Sequence, residues 1–135
     1  MKYDTSMPIY LQVVHQIEKE IASGKRKPGE KMPSTRDLAI AFQINPNTAS
    51  RVYQVLESEH ICMTRRGLGT FVSEDADMVK NIRNQMARES VDSLIGGLKE
   101  LGYREEEMVL MIRENWKDAR HKKRYEEISE YDGTG

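Results

Sequence analysis

Residues 45–57, NPNTASRVYQVLE, carry two patterns at once. Ala49, Val52, Tyr53 and Leu56 stand at i, i+3, i+4 and i+7, the apolar stripe of an amphipathic helix. Asn45 suits the N-cap, and Pro46 suits the first helical position, where its missing N–H is no loss. Asn47, Thr48, Ser50 and Arg51 face outward near that start. A helix needing only solubility would draw more on Glu and Lys. Short hydrogen-bonding side chains and one arginine suit an end that approaches a groove of DNA, since a helix N-terminus also favours a phosphate.

Upstream, Ser34 is a candidate N-cap for PSTRDLAIAFQI, and Asp37 occupies the reciprocal place of a capping box, where Glu or Gln is usual. Leu38, Ala41 and Phe42 are the expected apolar face. Only Gln43 and Ile44 separate this helix from the next, so the two must cross at a large angle, as in a helix-turn-helix. An earlier helix is expected from Pro8 to Gly24. Ile9, Val13, Ile17 and Ile21 repeat every four residues, with Tyr10, Val14 and Ala22 widening the stripe. The basic turn Lys25-Arg26-Lys27 follows, either solvated or on a phosphate. Downstream, ICMTRRGLGTFVS reads as two short strands around Arg65-Arg66-Gly67-Leu68-Gly69, with glycines to free the tip. Helix, helix, helix and hairpin in this order make a winged helix-turn-helix.

The chemistry changes after residue 74. Val79, Ile82, Met86, Val91, Leu94, Leu98 and Leu101 repeat at intervals of three to five residues, which predicts a helix of about seven turns. Gly96-Gly97 weakens it by roughly 1 kcal/mol per glycine relative to alanine and marks either a kink or a close helix contact. Beyond Gly102, a further helix is expected to begin with Glu105, Glu106 and Glu107, favourably placed for its dipole, and to bury Met108, Ile112 and Trp116. The charged end through residues 121–135 reads as a solvated helix that frays. The organisation expected is therefore mainly α with a small β-hairpin wing: a winged helix-turn-helix over residues 1–74 and a two-helix dimerisation segment over residues 75–135.

Composition narrows the classes. The chain has 135 residues, 38% apolar and 32% charged. Its longest apolar runs, Leu38 to Phe42 and Met108 to Ile112, fall far short of the ~20 residues of a membrane span. No basic-plus-apolar segment follows Met1, so no export and a reducing cytoplasm are expected. One cysteine, Cys62, excludes an internal disulfide and a multi-cysteine metal site. Net charge is -1, yet residues 1–73 hold ten Lys and Arg against seven Asp and Glu, and residues 74–135 hold eleven against fifteen. The positive half is the one suited to phosphate. His15, His60 and His121 are scattered and pair with no nucleophile or ligand set; His15 reads as a partly packed side chain. Gly67-Leu68-Gly69 lacks the third glycine and following helix of a dinucleotide loop. No catalytic residue, metal site or cofactor is expected.

PSTRDLA, NPNTASRVYQVLE and RRGLGTFV, in this order, resemble the DNA-binding half of the GntR family of bacterial transcription regulators. INPNT, followed by a C-terminal part of such modest length, resembles the YtrA-type subfamily. The resemblance covers residues 8–73 closely and 76–117 more loosely. Two departures stand out. Glu59-His60 replaces the usual Glu-Gly, so a histidine must adopt a backbone conformation that glycine adopts easily. Arg104 replaces a small hydroxyl cap at the start of the last helix.

The resemblance implies that Arg36, from the PSTR block, contacts DNA, and an arginine can grip guanine through two hydrogen bonds. Asn47, Thr48, Ser50 and Arg51 are expected in the same groove. Arg65, Arg66 and Gly67 are expected to enter the adjacent minor groove, whose negative potential favours arginine. Two helices alone cannot cover both their apolar faces, so Val79, Ile82, Met86, Leu94, Leu98, Met108, Ile112 and Trp116 are expected at a homodimer interface. The alternative for Met78, Met86, Met108 and Met111 is an adaptable effector pocket. The function expected is that of a dimeric repressor on double-stranded operator DNA of its own operon, which in YtrA-type relatives often encodes an ABC-type transporter. The effector is unknown. The competing reading is a dimeric winged-helix adaptor that binds protein.

Overall fold

The computed structural model describes residues 1–118. In chain order they form α1 (Ile9–Ala22), α2 (Thr35–Phe42), α3 (Pro46–Ser58), β1 (Cys62–Arg65), β2 (Gly69–Val72), α4 (Ala76–Glu100) and α5 (Glu105–Lys117). The expected fold class is present; the expectation for residues 121–135 falls outside the described residues. Two compact units arise among the described residues: Tyr3–Met86, and Met1–Lys2 together with residues 87–118. The first thus takes in the opening turns of α4, beyond the boundary that composition suggests at residues 74 and 75.

The core of Tyr3–Met86 is built from one stripe of each helix. Val13, Val14, Ile17 and Ile21 of α1 meet Leu38 and Ala39 of α2 and Ala49, Val52, Tyr53 and Leu56 of α3; Met32, Ile61, Cys62 and Val72 complete the cluster. Burying one such aliphatic side chain fully contributes about 1.5–3 kcal/mol. Two expectations need correction. Ala39, not Ala41, is buried on α2, because LAIAF is apolar at every position and the location of α3 selects the face. Ile9 is 45% exposed and so lies outside the core.

The opening of α4 also belongs to this core. Ile82 is 9% exposed within the cluster, and Met78, Val79 and Met86 pack against it. Of the residues expected at a dimer interface, Ile82 is therefore buried by its own chain, and Val79 and Met86 are half-buried against it. Periodicity records that a helix face is apolar and leaves open which chain covers it.

Local chemistry sets the helix ends. Ser34 Oγ accepts from Asp37 N at 3.1 Å, capping α2. No return bond from the Asp37 carboxylate is made among the described residues; aspartate is one methylene shorter than the usual glutamate. Asn45 Oδ1 accepts from Asn47 N at 2.8 Å, with Pro46 as the first residue of α3. His60 takes φ +60°. Its N–H reaches Glu57 O at 3.0 Å while Ile61 N reaches Leu56 O at 2.8 Å, a Schellman closure with histidine in the glycine position. Replacing His60 with glycine removes the Cβ strain of the left-handed region at some cost in unfolded-chain entropy. The expected result is a gain of about 0.5–1 kcal/mol, read as a melting temperature several degrees higher in a thermal unfolding scan.

The hairpin pairs Cys62 with Val72, Met63 with Phe71, Thr64 with Thr70 and Arg65 with Gly69. Leu68 N closes the tip on Arg65 O at 2.9 Å, with Gly67 at φ +79°. A positive φ at that third turn position favours glycine. The hairpin has a third partner that periodicity does not announce. Residues 29–32 run along the free edge of β2: Gly29 N donates to Val72 O, Val72 N to Glu30 O, and Met32 N to Thr70 O, at 2.7–2.9 Å. Lys31 and Phe71 form the antiparallel bridge. Backbone groups carry this pairing, so Gly-Glu-Lys-Met needs no alternation of side chains.

In the second unit, α4 ends in a Schellman motif at Gly102, φ +88°, with Tyr103 N to Leu98 O at 3.1 Å and Gly102 N to Lys99 O at 2.9 Å. The Glu107 carboxylate accepts from Arg104 N at 3.2 Å and from Arg104 Nε at 3.3 Å, which secures the start of α5. Arginine has no acceptor to complete a capping box. Of the expected buried stripe only Met108 is buried; Ile112 is 47% and Trp116 85% exposed. Gly96 and Gly97 have no neighbour within 4 Å of a Cβ position, so no described residue makes a close contact there.

Candidate nucleic-acid interface

Arg36 is the second residue of α2 and is exposed, with no ion-pair partner among the described residues. Asn47, Ser50 and Arg51 are exposed on α3, while Thr48 is half-buried. Arg65, Arg66 and Gly67 are exposed at the end of β1 and in the turn.

Hydrogen bonds join these elements. The Tyr53 hydroxyl of α3 donates to Pro33 O, immediately before the Ser34 cap, and so fixes the approach to Arg36. Burial pushes this phenol well above its ordinary pKa. The Thr64 hydroxyl of β1 donates to the Glu57 carboxylate of α3 and lies 3.3 Å from Thr70 Oγ1, tying the wing to the same helix. Between the entry to α2 and the base of the wing lies a cleft of about 500 Å³, lined by Lys31, Ser34, Thr35, Asp37, Tyr53 and Thr70 among others.

Two of the arginines lie over rings. The Arg51 guanidinium carbon is 3.9 Å from the centroid of Tyr10, and that of Arg65 is 5.1 Å from the centroid of Phe71. Arg26 behaves differently from its neighbours in the basic turn. Its Nε pairs with Glu20 Oε2 at 2.5 Å in a largely covered setting, and a second nitrogen reaches Met32 Sδ at 3.8 Å. Arg26 therefore serves the fold, whereas Lys25 and Lys27 are exposed. His15 is exposed rather than partly packed.

Cys62 is buried, and burial, reinforced by the Glu57 carboxylate, pushes its thiol up to about 11. The thiolate needed for reaction is therefore scarce near neutral pH. Since the folded pKa lies above the unfolded one, this thiol's contribution to stability is intact below pH 9 and is lost as pH rises through 11. A thiol-directed reagent at pH 7.5 is expected to label native protein far more slowly than unfolded protein. Unfolding free energy should fall from pH 9 to 11, less steeply in Cys62→Ala.

Among the described residues, no group of three or more His, Cys, Asp or Glu side chains could hold a metal ion, and no helix is long and apolar enough to cross a membrane. Bacterial regulatory proteins of the gntR family match residues 9–72, the span of α1 through the wing. A GntR family transcriptional regulator from Listeria monocytogenes superimposes with a TM-score of 0.77 at 34% identity, covering 83% of this chain and 98% of that one. The chain belongs to the GntR family. Its likeness to the HTH-type transcriptional regulator YhcF of Bacillus subtilis is 40% identity over 112 residues, 83% of this chain and 93% of the relative. With the HTH-type transcriptional repressor YtrA of the same organism it shares 47% identity over 72 residues, 53% of this chain and 55% of the relative. This GntR protein is accordingly a DNA-binding transcriptional regulator and not an enzyme, and the protein-adaptor reading is set aside.

Proposed function

We propose that this GntR regulator is a cytoplasmic repressor that binds operator DNA as a two-fold homodimer, at half-sites about one helical turn apart. The observation that carries the reading is the exposed set Arg36, Asn47, Ser50 and Arg51, held on helices joined by the Tyr53 hydroxyl and free of acidic partners among the described residues. These residues and Thr48 enter the major groove. Arg65, Arg66 and Gly67 reach the adjacent minor groove. Repression is steric: an occupied operator excludes polymerase from the promoter, and a signal that tilts the two DNA-binding lobes apart relieves it. The operon controlled is its own, of the transporter-linked kind.

The dimer is closed through the second unit. Leu94 of α4 and Ile112 and Trp116 of α5 are exposed and Leu98 of α4 is half-buried, apolar side chains that a second copy covers. Met108, the buried residue of α5, lies within its own chain. Sedimentation should give a dimer, and a footprint upstream of the gene should show two related half-sites. A monomer protecting a single asymmetric site would contradict the proposal.

A further inference from the structure

Arg51 is the sole arginine of α3, and its guanidinium does not extend freely into solvent. It lies over the ring of Tyr10, a residue of α1 that stands outside the helix-turn-helix pair. Tyr10 is half-buried and packed against the core, so its ring is held by its surroundings. Its hydroxyl makes no hydrogen bond among the described residues. The ring therefore offers Arg51 a fixed flat face and nothing else.

A guanidinium carbon 3.9 Å from the centroid sets the cation on the ring face, and the N–H donors turned away from the ring remain available for hydrogen bonds. The contact also restricts a side chain that otherwise loses much rotamer freedom on binding. The same device recurs on the wing. Arg65 lies over Phe71, its diagonal neighbour across the hairpin, since Arg65 pairs with Gly69 and Phe71 is two residues on. Two arginines of the candidate interface are thus backed by aromatic rings from separate elements.

We propose that Tyr10 is a positioning residue for DNA binding: its ring pre-orders the Arg51 guanidinium and so links α1 to operator recognition. The inference rests on Arg51 contacting DNA, as in the function proposed above. Two substitutions distinguish this role from plain packing. Tyr10→Phe keeps the π face, and Tyr10→Leu keeps apolar bulk without it.

The test is operator affinity of the full-length wild type, Y10F, Y10L, R51A and the double variant Y10L/R51A, with thermal unfolding of each to confirm folding. Y10F should bind as wild type. Y10L should bind about five- to thirtyfold more weakly, the scale set by one weak cation–π interaction in each half-site of a dimer. In Y10L/R51A the loss should equal that of R51A alone, because the ring acts only through the arginine. A loss in Y10L that adds fully to that of R51A would overturn the proposal, as would wild-type affinity in Y10L. Should Y10L fail to fold, the same comparison passes to Tyr10→Met, which retains bulk without a ring. Wild-type affinity in R51A would overturn the role of Tyr10 alone, since Arg36→Ala tests the DNA-binding surface independently.

Discussion

Arg36→Ala is expected to lower operator affinity at least about thirtyfold while leaving the melting temperature and oligomeric state unchanged. A bidentate arginine–guanine contact discriminates by about 1–3 kcal/mol, and a two-fold dimer loses it twice, about 2–6 kcal/mol in all. At about 1.4 kcal/mol per tenfold, the lower bound gives that factor. Stability should not move, because Arg36 is exposed and has no ion-pair partner among the described residues. Arg36→Lys separates base from phosphate contact. A lysine retains the charge but not the planar fork, so affinity should still fall if a base is read, with selectivity between operator and scrambled DNA falling alongside. Fluorescence anisotropy on both duplexes supplies the numbers. Full affinity in the alanine variant would remove Arg36 from the interface.

The second large effect is on stability. Leu56 is fully buried on α3, at the last turn of the helix whose other end carries Asn47 and Thr48. Leu56→Ala removes three carbons from a close-packed site and should cost about 2.7–5 kcal/mol. Against the 5–15 kcal/mol typical of a domain, this is a large fraction of the total. The urea midpoint should fall steeply with an unchanged slope, the mark of lost stability rather than altered compactness. Leu68 provides the contrast: at 62% exposed on the wing, its alanine variant should lie within about 0.5 kcal/mol of wild type. Equal midpoints for the two variants would contradict this placement of the core.

Legibility in the sequence differs from element to element. The caps of α3 and its whole buried stripe follow from neighbours in sequence, because a cap and a 3.6-residue period are local facts. The left-handed His60 is legible only through the resemblance, where glycine usually stands at that place, because histidine by itself does not announce a positive φ. Ala39 cannot be told from Ala41 within an unbroken apolar run, since only the position of α3 decides. The strand-like segment 29–32 escapes a reading of side chains because backbone groups make its pairing. Ile82 shows the same limit at larger scale, with Val79 and Met86 half-buried beside it: an apolar face of α4 whose partner in the core lies elsewhere in the fold. For the candidate site, the residue types at the start of α2 and α3 are readable. The rings behind Arg51 and Arg65 are not, Tyr10 being on a different helix and Phe71 across a hairpin.

Whether this surface reads operator DNA is decided by binding measured across a range of salt. Purified protein is titrated into a fluorescent duplex from upstream of its own gene and into a scrambled duplex of equal length, over a series of salt concentrations. Tighter binding to the upstream duplex is expected at every concentration, with affinity falling steeply as salt rises because phosphate contacts release counterions. Equal affinity for both duplexes, or binding indifferent to salt, would contradict the reading of operator DNA by this surface.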